Sequence, residues 1–206
     1  MSLAVKKQER IELLLKTIDK LGVTTIRQLQ RIHNLGSYRN ACRIITQLEP
    51  FLKVIRGREK VFYLNKEGRE LIGSEKEIKN STQLEHKLLT NEAYIYFGCP
   101  SDWKTEYRIE HKEEIKDIII RIGSGKSMMK KIVIADAHFA GNLVEIDNTR
   151  HMKDNMKKIE NYREILKLKK LNSKIYFFTT TNSRKEKLKK GLAGMNHQVL
   201  TFDEIK

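Results

Sequence analysis

The sequence predicts an α/β (α+β) protein of two domains, and three observations lead there. Apolar residues recur at helical spacing through the first fifty positions and then give way to a short alternating hairpin. The stretch Ser-Glu-Lys-Glu-Ile-Lys-Asn-Ser-Thr at 74–82 is polar and carries no core-forming pattern. Beyond it helical and strand patterns alternate, which is the order of an α/β domain. The expected division is a domain over 1–73, a linker at 74–82 and a second domain over 83–206.

In the first part, Ile11, Leu14, Leu15, Ile18 and Leu21 predict a helix over 6–21 that stops at Gly22. Thr24-Thr25 caps a second helix over 26–33, and Ser37 caps a third expected to run to Leu52, with Ala41, Ile44, Ile45 and Leu48 as its core stripe. Residues 51–56 and 59–64 read as two strands around Gly57-Arg58, and a further helix begins at Lys66. Three helices followed by a two-stranded wing is winged helix-turn-helix order. The phrase Val61-Phe-Tyr-Leu-Asn-Lys-Glu-Gly-Arg69 also resembles the wing-to-helix junction of many winged-helix regulators.

The 206 residues carry 41 Lys+Arg against 26 Asp+Glu, a formal charge of +15, which favours an anionic partner, most simply double-stranded DNA. The third helix leaves Ser37, Tyr38, Arg39, Asn40 and Arg43 outside its core stripe, with Gln47 beyond them. Arg39 and Asn40 are residue types that contact guanine and adenine edges, while Lys53, Arg56, Arg58 and Lys60 on the wing suit phosphates or a minor groove. The other reading of the same residues is a solvated basic face or a protein-contact surface.

In the second part a helix is expected from Ser81 to Phe97, then strands over 103–109 and 115–122. Two more strands, Lys131–Asp136 and Leu143–Asp147, flank a turn at Ala140-Gly141-Asn142. Side chains alternate along a strand, so Leu143, Glu145 and Asp147 share one side. A two- or four-residue loop sets Asp136 opposite Glu145 or Asp147, and the acids then converge; a three-residue loop reverses the parity. Converged acids suit a hard divalent cation such as Mg²⁺. The alternative is an edge hairpin with its acids in water. A long helix capped by Asn148-Thr149 should run to Leu171, followed by a strand over 174–180, a basic helix over 184–195 and a last strand over 198–202.

Several functions are set aside. No apolar run reaches the length of a membrane span and no signal peptide opens the chain, so a cytoplasmic protein is expected. Cys42 and Cys99 are unclustered, which predicts free thiols and gives no zinc site. Gly123-Ser-Gly-Lys-Ser127 imitates a P-loop ending, but Ile120 stands where that motif needs glycine. No heptad demands a homodimer, although winged helices often form one.

The second part resembles the replication-relaxation family, proteins of plasmids and other mobile elements that pair a winged helix with a nuclease-like domain. Leu84-Glu-His86, Asn91-Glu-Ala93, Trp103-Lys-Thr-Glu106, Ala135-Asp136-Ala137, Val144-Glu-Ile-Asp-Asn-Thr149 and Lys158-Ile-Glu-Asn-Tyr162 carry the resemblance. That family is similar in turn to the PD-(D/E)xK nucleases, which implies a restriction-endonuclease-like α/β domain with a mixed central sheet. Carried across, Asp136 and Glu145 match the metal-binding acids, with Glu106 and Asp147 as further candidates and Mg²⁺ as the implied ion. Ala135 replaces the family's proline, and Asp147 occupies the place of the catalytic lysine. A carboxylate cannot stabilise charge developing on phosphate. The implied remedy is Lys158 or Lys157 from the following helix, with Tyr162 on the same side to orient it or to pack. The resemblance implies a DNA-binding accessory protein of plasmid replication, DNA relaxation or transfer, partnered by a relaxase or replication protein. A Mg²⁺-dependent endonuclease or nickase, or a winged-helix transcription regulator, remain as alternatives.

Overall fold

The computed structural model describes residues 3–57, 59–78, 83–114 and 128–205. Arg58, the expected strand at 115–122, the Gly123–Ser127 segment and residues 79–82 lie outside the described residues. Two compact units are present, Met1–Cys99 and Pro100–Lys206.

The first unit contains α1 (Leu3–Leu21), β1 (Thr24–Thr25), α2 (Ile26–His33), α3 (Tyr38–Thr46), β2 (Leu52–Ile55), β3 (Val61–Leu64), α4 (Lys66–Ile72) and α5 (Leu84–Tyr96). Its three strands are antiparallel in the order β1-β3-β2. The helical stripes read from the sequence meet in one core that includes Leu14, Leu15, Ile18, Leu29, Ile45, Leu48 and Phe62. Thr25 forms a reciprocal cap with Gln28, and the Ser37 side chain accepts from the Asn40 backbone N–H, so both helix starts are fixed by short polar side chains. Two expectations need correction. α3 ends at Thr46 rather than Leu52, because Pro50 has no N–H to donate and the chain turns through a short 3₁₀ segment at Glu49–Phe51. Thr24-Thr25 is also a strand of its own, paired with Phe62 and Val61, too short to leave a pattern.

The expected helix from Ser81 is observed as Leu84–Tyr96, and it belongs to the first unit. Gln28 Nε2 donates to Leu88 O and to Glu92 Oε1, both at 2.9 Å, and Asn91 Nδ2 donates to Val23 O at 2.7 Å. Buried polar groups anchored in this way hold α5 beside α2 and β1. The two units therefore divide after Cys99, not at the polar stretch 74–82.

The second unit runs β4 (Lys104–Glu114), β5 (Met128–Phe139), β6 (Asn142–Asp147), α6 (Met152–Leu168), β7 (Ile175–Thr179), α7 (Asn182–Gly191) and β8 (His197–Thr201). Its five-stranded sheet has the order β4-β5-β6-β7-β8. The first three strands are antiparallel and the last three parallel. Parallel neighbours need a crossover, which α6 and α7 supply. Val133, Leu143, Ile159, Tyr162, Ile165, Phe177 and Leu188 fill the core between sheet and helices. The protein is thus mixed α+β, with seven α-helices and two sheets among the described residues. None of the described helices is long and apolar enough to cross a membrane.

The β5–β6 loop is the two-residue Ala140-Gly141, with φ of 45° and 77°. Positive φ at both positions is what a tight hairpin turn requires.

Candidate functional site

The last backbone-paired rung between β5 and β6 is Ala137 opposite Val144, so the next step sets Asp136 opposite Glu145. There the ladder stops, and Asp136 Oδ2 accepts the backbone N–H of Ile146 at 2.7 Å, replacing a main-chain carbonyl. On the other side of Asp136 the β4–β5 ladder passes over Glu106, which is exposed and has φ of 52°.

Glu145 has no solvent exposure. Its Oε2 accepts from Lys158 Nζ at 2.6 Å and its Oε1 from Tyr162 OH at 2.5 Å. Lys158 and Tyr162 are one turn apart on α6, so a single helix face delivers both. The Arg150 guanidinium adds a longer ion pair, 3.8 Å from Glu145 Oε2. Burial, reinforced by the facing Asp136, pushes the Glu145 carboxyl up to about 8, against the opposing pull of Lys158 and Tyr162. Burial and the Glu145 charge likewise hold the Tyr162 phenol well above its usual range. Tyr162 is therefore a fully buried, protonated donor that orients Glu145.

Asp147 lies in a different environment. Arg184 reaches it with two N–H groups, Nε to Oδ2 at 2.7 Å and NH2 to Oδ1 at 2.6 Å. Thr179 Oγ1 donates to Oδ2 and Asn155 Nδ2 to Oδ1, each at 2.7 Å. Burial alone would raise this carboxyl, but the Arg184, Thr179 and Asn155 hydrogen bonds outweigh it and hold Asp147 below its ordinary value. Arg184 NH2 also donates to Arg150 O at 2.6 Å, tying the β6–α6 loop to α7. α6 starts at Met152, after this loop, and not at the expected Asn148-Thr149 cap, and it ends at Leu168 rather than Leu171.

In the first unit, Tyr38, Arg39, Arg43, Arg56 and Lys60 are exposed, and Ser37 is the α3 cap. The Arg27 guanidinium lies over the Tyr38 ring at 5.1 Å. Asn40 is engaged locally: Nδ2 donates to Leu35 O at 2.7 Å and Oδ1 accepts from Arg43 NH2 at 2.9 Å.

A family model described as replication-relaxation matches residues 15–180. The chain belongs to the replication-relaxation family. Searches among curated proteins and among solved structures found no match. Membership carries a role in plasmid or mobile-element replication or relaxation.

In this replication-relaxation protein the structure brings Asp136, Glu145 and Lys158 together and keeps Asp147 in a separate ion pair on the same strand. Glu106 is next to Asp136 by register but exposed. Sequence reasoning missed Arg150, Asn155, Thr179 and Arg184. Among these, Asn155 had a usable signal, since a polar residue four before the core position Ile159 falls on the buried side of α6.

Proposed function

We propose that this protein binds duplex DNA through its first unit and cleaves a phosphodiester bond in its second, as a nuclease-like protein of plasmid or mobile-element replication, DNA relaxation or transfer. The observation that carries the proposal is Lys158 Nζ at 2.6 Å from Glu145 Oε2, with Asp136 facing Glu145 across the hairpin. On this reading Lys158 of α6 stands in for the cation that position 147 lacks.

The first unit supports the DNA-binding half through its element order, a three-helix set followed by a β2–β3 wing. The cations Arg39, Arg43, Arg56 and Lys60 are exposed on α3 and the wing segment, where a winged helix presents them to a groove and to phosphates. The second unit supports the nuclease half by its order of three antiparallel strands, a crossover helix and a parallel strand, the order of a PD-(D/E)xK core.

Asp136 and Glu145 fit Mg²⁺, which is held by one or two carboxylates and completes its shell with water and phosphate oxygens. Among the described residues no three His, Cys, Asp or Glu side chains gather, so a cation needing a larger protein cage fits poorly. Asp147 accepts four hydrogen bonds and is spent on Arg184, Thr179 and Asn155. A Mg²⁺ held by Asp136 and Glu145 would supply Lewis-acid polarisation of the phosphate. The protein's own contribution is to hold that ion with Asp136 and Glu145, to aim Glu145 by means of Tyr162, and to offset developing phosphate charge with Lys158.

A second reading keeps DNA binding and gives up catalysis. It is favoured by the fact that both oxygens of Glu145 already accept hydrogen bonds within the protein. Supercoiled plasmid incubated with Mg²⁺ separates the two readings: nicking that vanishes in Asp136→Ala supports cleavage, and an inert wild type leaves the DNA-binding accessory role.

A further inference from the structure

Three cations border the buried acids of β6, and two are committed. Lys158 is paired with Glu145 at 2.6 Å, and Arg184 is paired through two N–H groups with Asp147. Arg150 is different. Its guanidinium stands 3.8 Å from Glu145 Oε2, beyond hydrogen-bond reach, and makes no side-chain hydrogen bond among the described residues. Its side chain is 36% exposed, so it spans from the buried acid to solvent. Its backbone, in contrast, is fixed, because the Arg150 carbonyl accepts from Arg184 NH2 at 2.6 Å and Arg184 is itself locked on Asp147.

We infer that Arg150 is the residue that receives the phosphate of the nucleic-acid substrate, and that the Asp147–Arg184 pair is the mount that positions it. The inference rests on the nuclease-like reading of this site. A phosphodiester brought beside Asp136 meets like charge, and Lys158, bonded to Glu145 at 2.6 Å, divides its donors between that carboxyl and the phosphate. A guanidinium with unspent donors, preset between the buried Glu145 and solvent, meets two phosphate oxygens at once, which an ammonium cannot do. Asp147 therefore serves substrate binding at one remove: it gives up the lysine position and organises an arginine instead.

The test uses the full-length protein in two measurements. Inorganic phosphate is titrated while the arginine side-chain Nε–Hε signals are followed by NMR, the Arg150 signal being assigned by its loss in Arg150→Lys. Nicking of supercoiled plasmid is compared in wild type, Arg150→Ala and Arg150→Lys. A saturable shift of the Arg150 signal is expected, with nicking slowed about 100-fold in Arg150→Ala and partly restored in Arg150→Lys. Arg184→Lys keeps the charge but loses the fork, and should raise the phosphate needed for half the Arg150 shift about tenfold in a folded protein. An Arg150 signal indifferent to phosphate, or nicking undiminished in Arg150→Ala, overturns the inference and leaves the nuclease reading standing. If wild type does not nick at all, the nuclease reading falls and the phosphate titration alone decides for or against Arg150.

Discussion

Glu145 and Asp147 stand two residues apart on β6, both sealed from solvent, and their carboxyls are driven in opposite directions. Glu145 faces Asp136 and is pushed up by burial and that like charge, whereas the hydrogen bonds from Arg184, Thr179 and Asn155 overcome burial to hold Asp147 down. One strand thus carries a carboxyl that resists ionisation and another that embraces it.

The opposite shifts predict opposite pH dependences. In the folded state Glu145 keeps a proton that the unfolded chain has released, so its contribution to stability is full below about 4.5 and is lost as pH rises toward about 8. Glu145→Gln should therefore melt higher than wild type near about pH 9, with the gain shrinking toward about pH 5. Thermal melts across that range check it, and a gain that grows on acidification would contradict the assignment.

Asp147 works the other way. Its folded value lies below 3.8, so its contribution is present at neutral pH and lost as acid protonates it. Removing Arg184 leaves that buried charge without its main partner, and Arg184→Ala should cost about 3–5 kcal/mol at neutral pH by denaturant unfolding. Asp147→Asn should lose its difference from wild type in strong acid. A cost of a few tenths for Arg184→Ala would mean that Thr179 and Asn155 suffice.

On α3 the two residues expected to read bases separate into different roles. Asn40 holds the Leu35 carbonyl and Arg43, so Asn40→Ala should lower stability by about 1 kcal/mol. Arg39 is exposed, and Arg39→Ala should relax sequence preference in a gel-shift series without moving the melting temperature. Arg56→Ala with Lys60→Ala should weaken binding evenly across sequences and flatten its salt dependence. Unchanged shifts for all of these variants would rule α3 and the β2–β3 segment out of the proposed DNA contact.

Gly68 tests a packing detail of the first unit. A Cβ built there lies 2.3 Å from the Phe51 carbonyl oxygen, which also accepts from Asn65 N at 3.0 Å. Alanine in a helix is ordinarily better than glycine by about 1 kcal/mol. Here Gly68→Ala should destabilise instead, read as a lower denaturant midpoint, because backbone must move.

Much of this was legible in the sequence where the determinants were local. The alternation around Ala140-Gly141 showed the hairpin and limited the residue opposite Asp136 to Glu145 or Asp147 for an even loop, since turn chemistry and strand parity act over a few residues; the two-residue loop selects Glu145. The i, i+4 spacing of Lys158 and Tyr162 gave their shared face on α6. What stayed hidden was assembled across crossovers: Asp147 meets Thr179 and Arg184 only because β7 lies parallel to β6 and α7 follows it, and no spacing encodes that. α5 was placed with the wrong neighbours for a related reason. Its apolar pattern showed a helix, but Gln28, Val23 and Leu88 choose its partner through polar contacts 60 or more residues apart.

If Lys158 of α6 supplies the cation that position 147 lacks, nicking of supercoiled plasmid in Mg²⁺ depends on it, and Lys158→Met measures that dependence. Wild type should convert supercoiled to open-circular DNA, and Lys158→Met, verified as folded by its melting curve, should be slower by about 100-fold. Equal nicking by the two proteins would exclude Lys158 from that role.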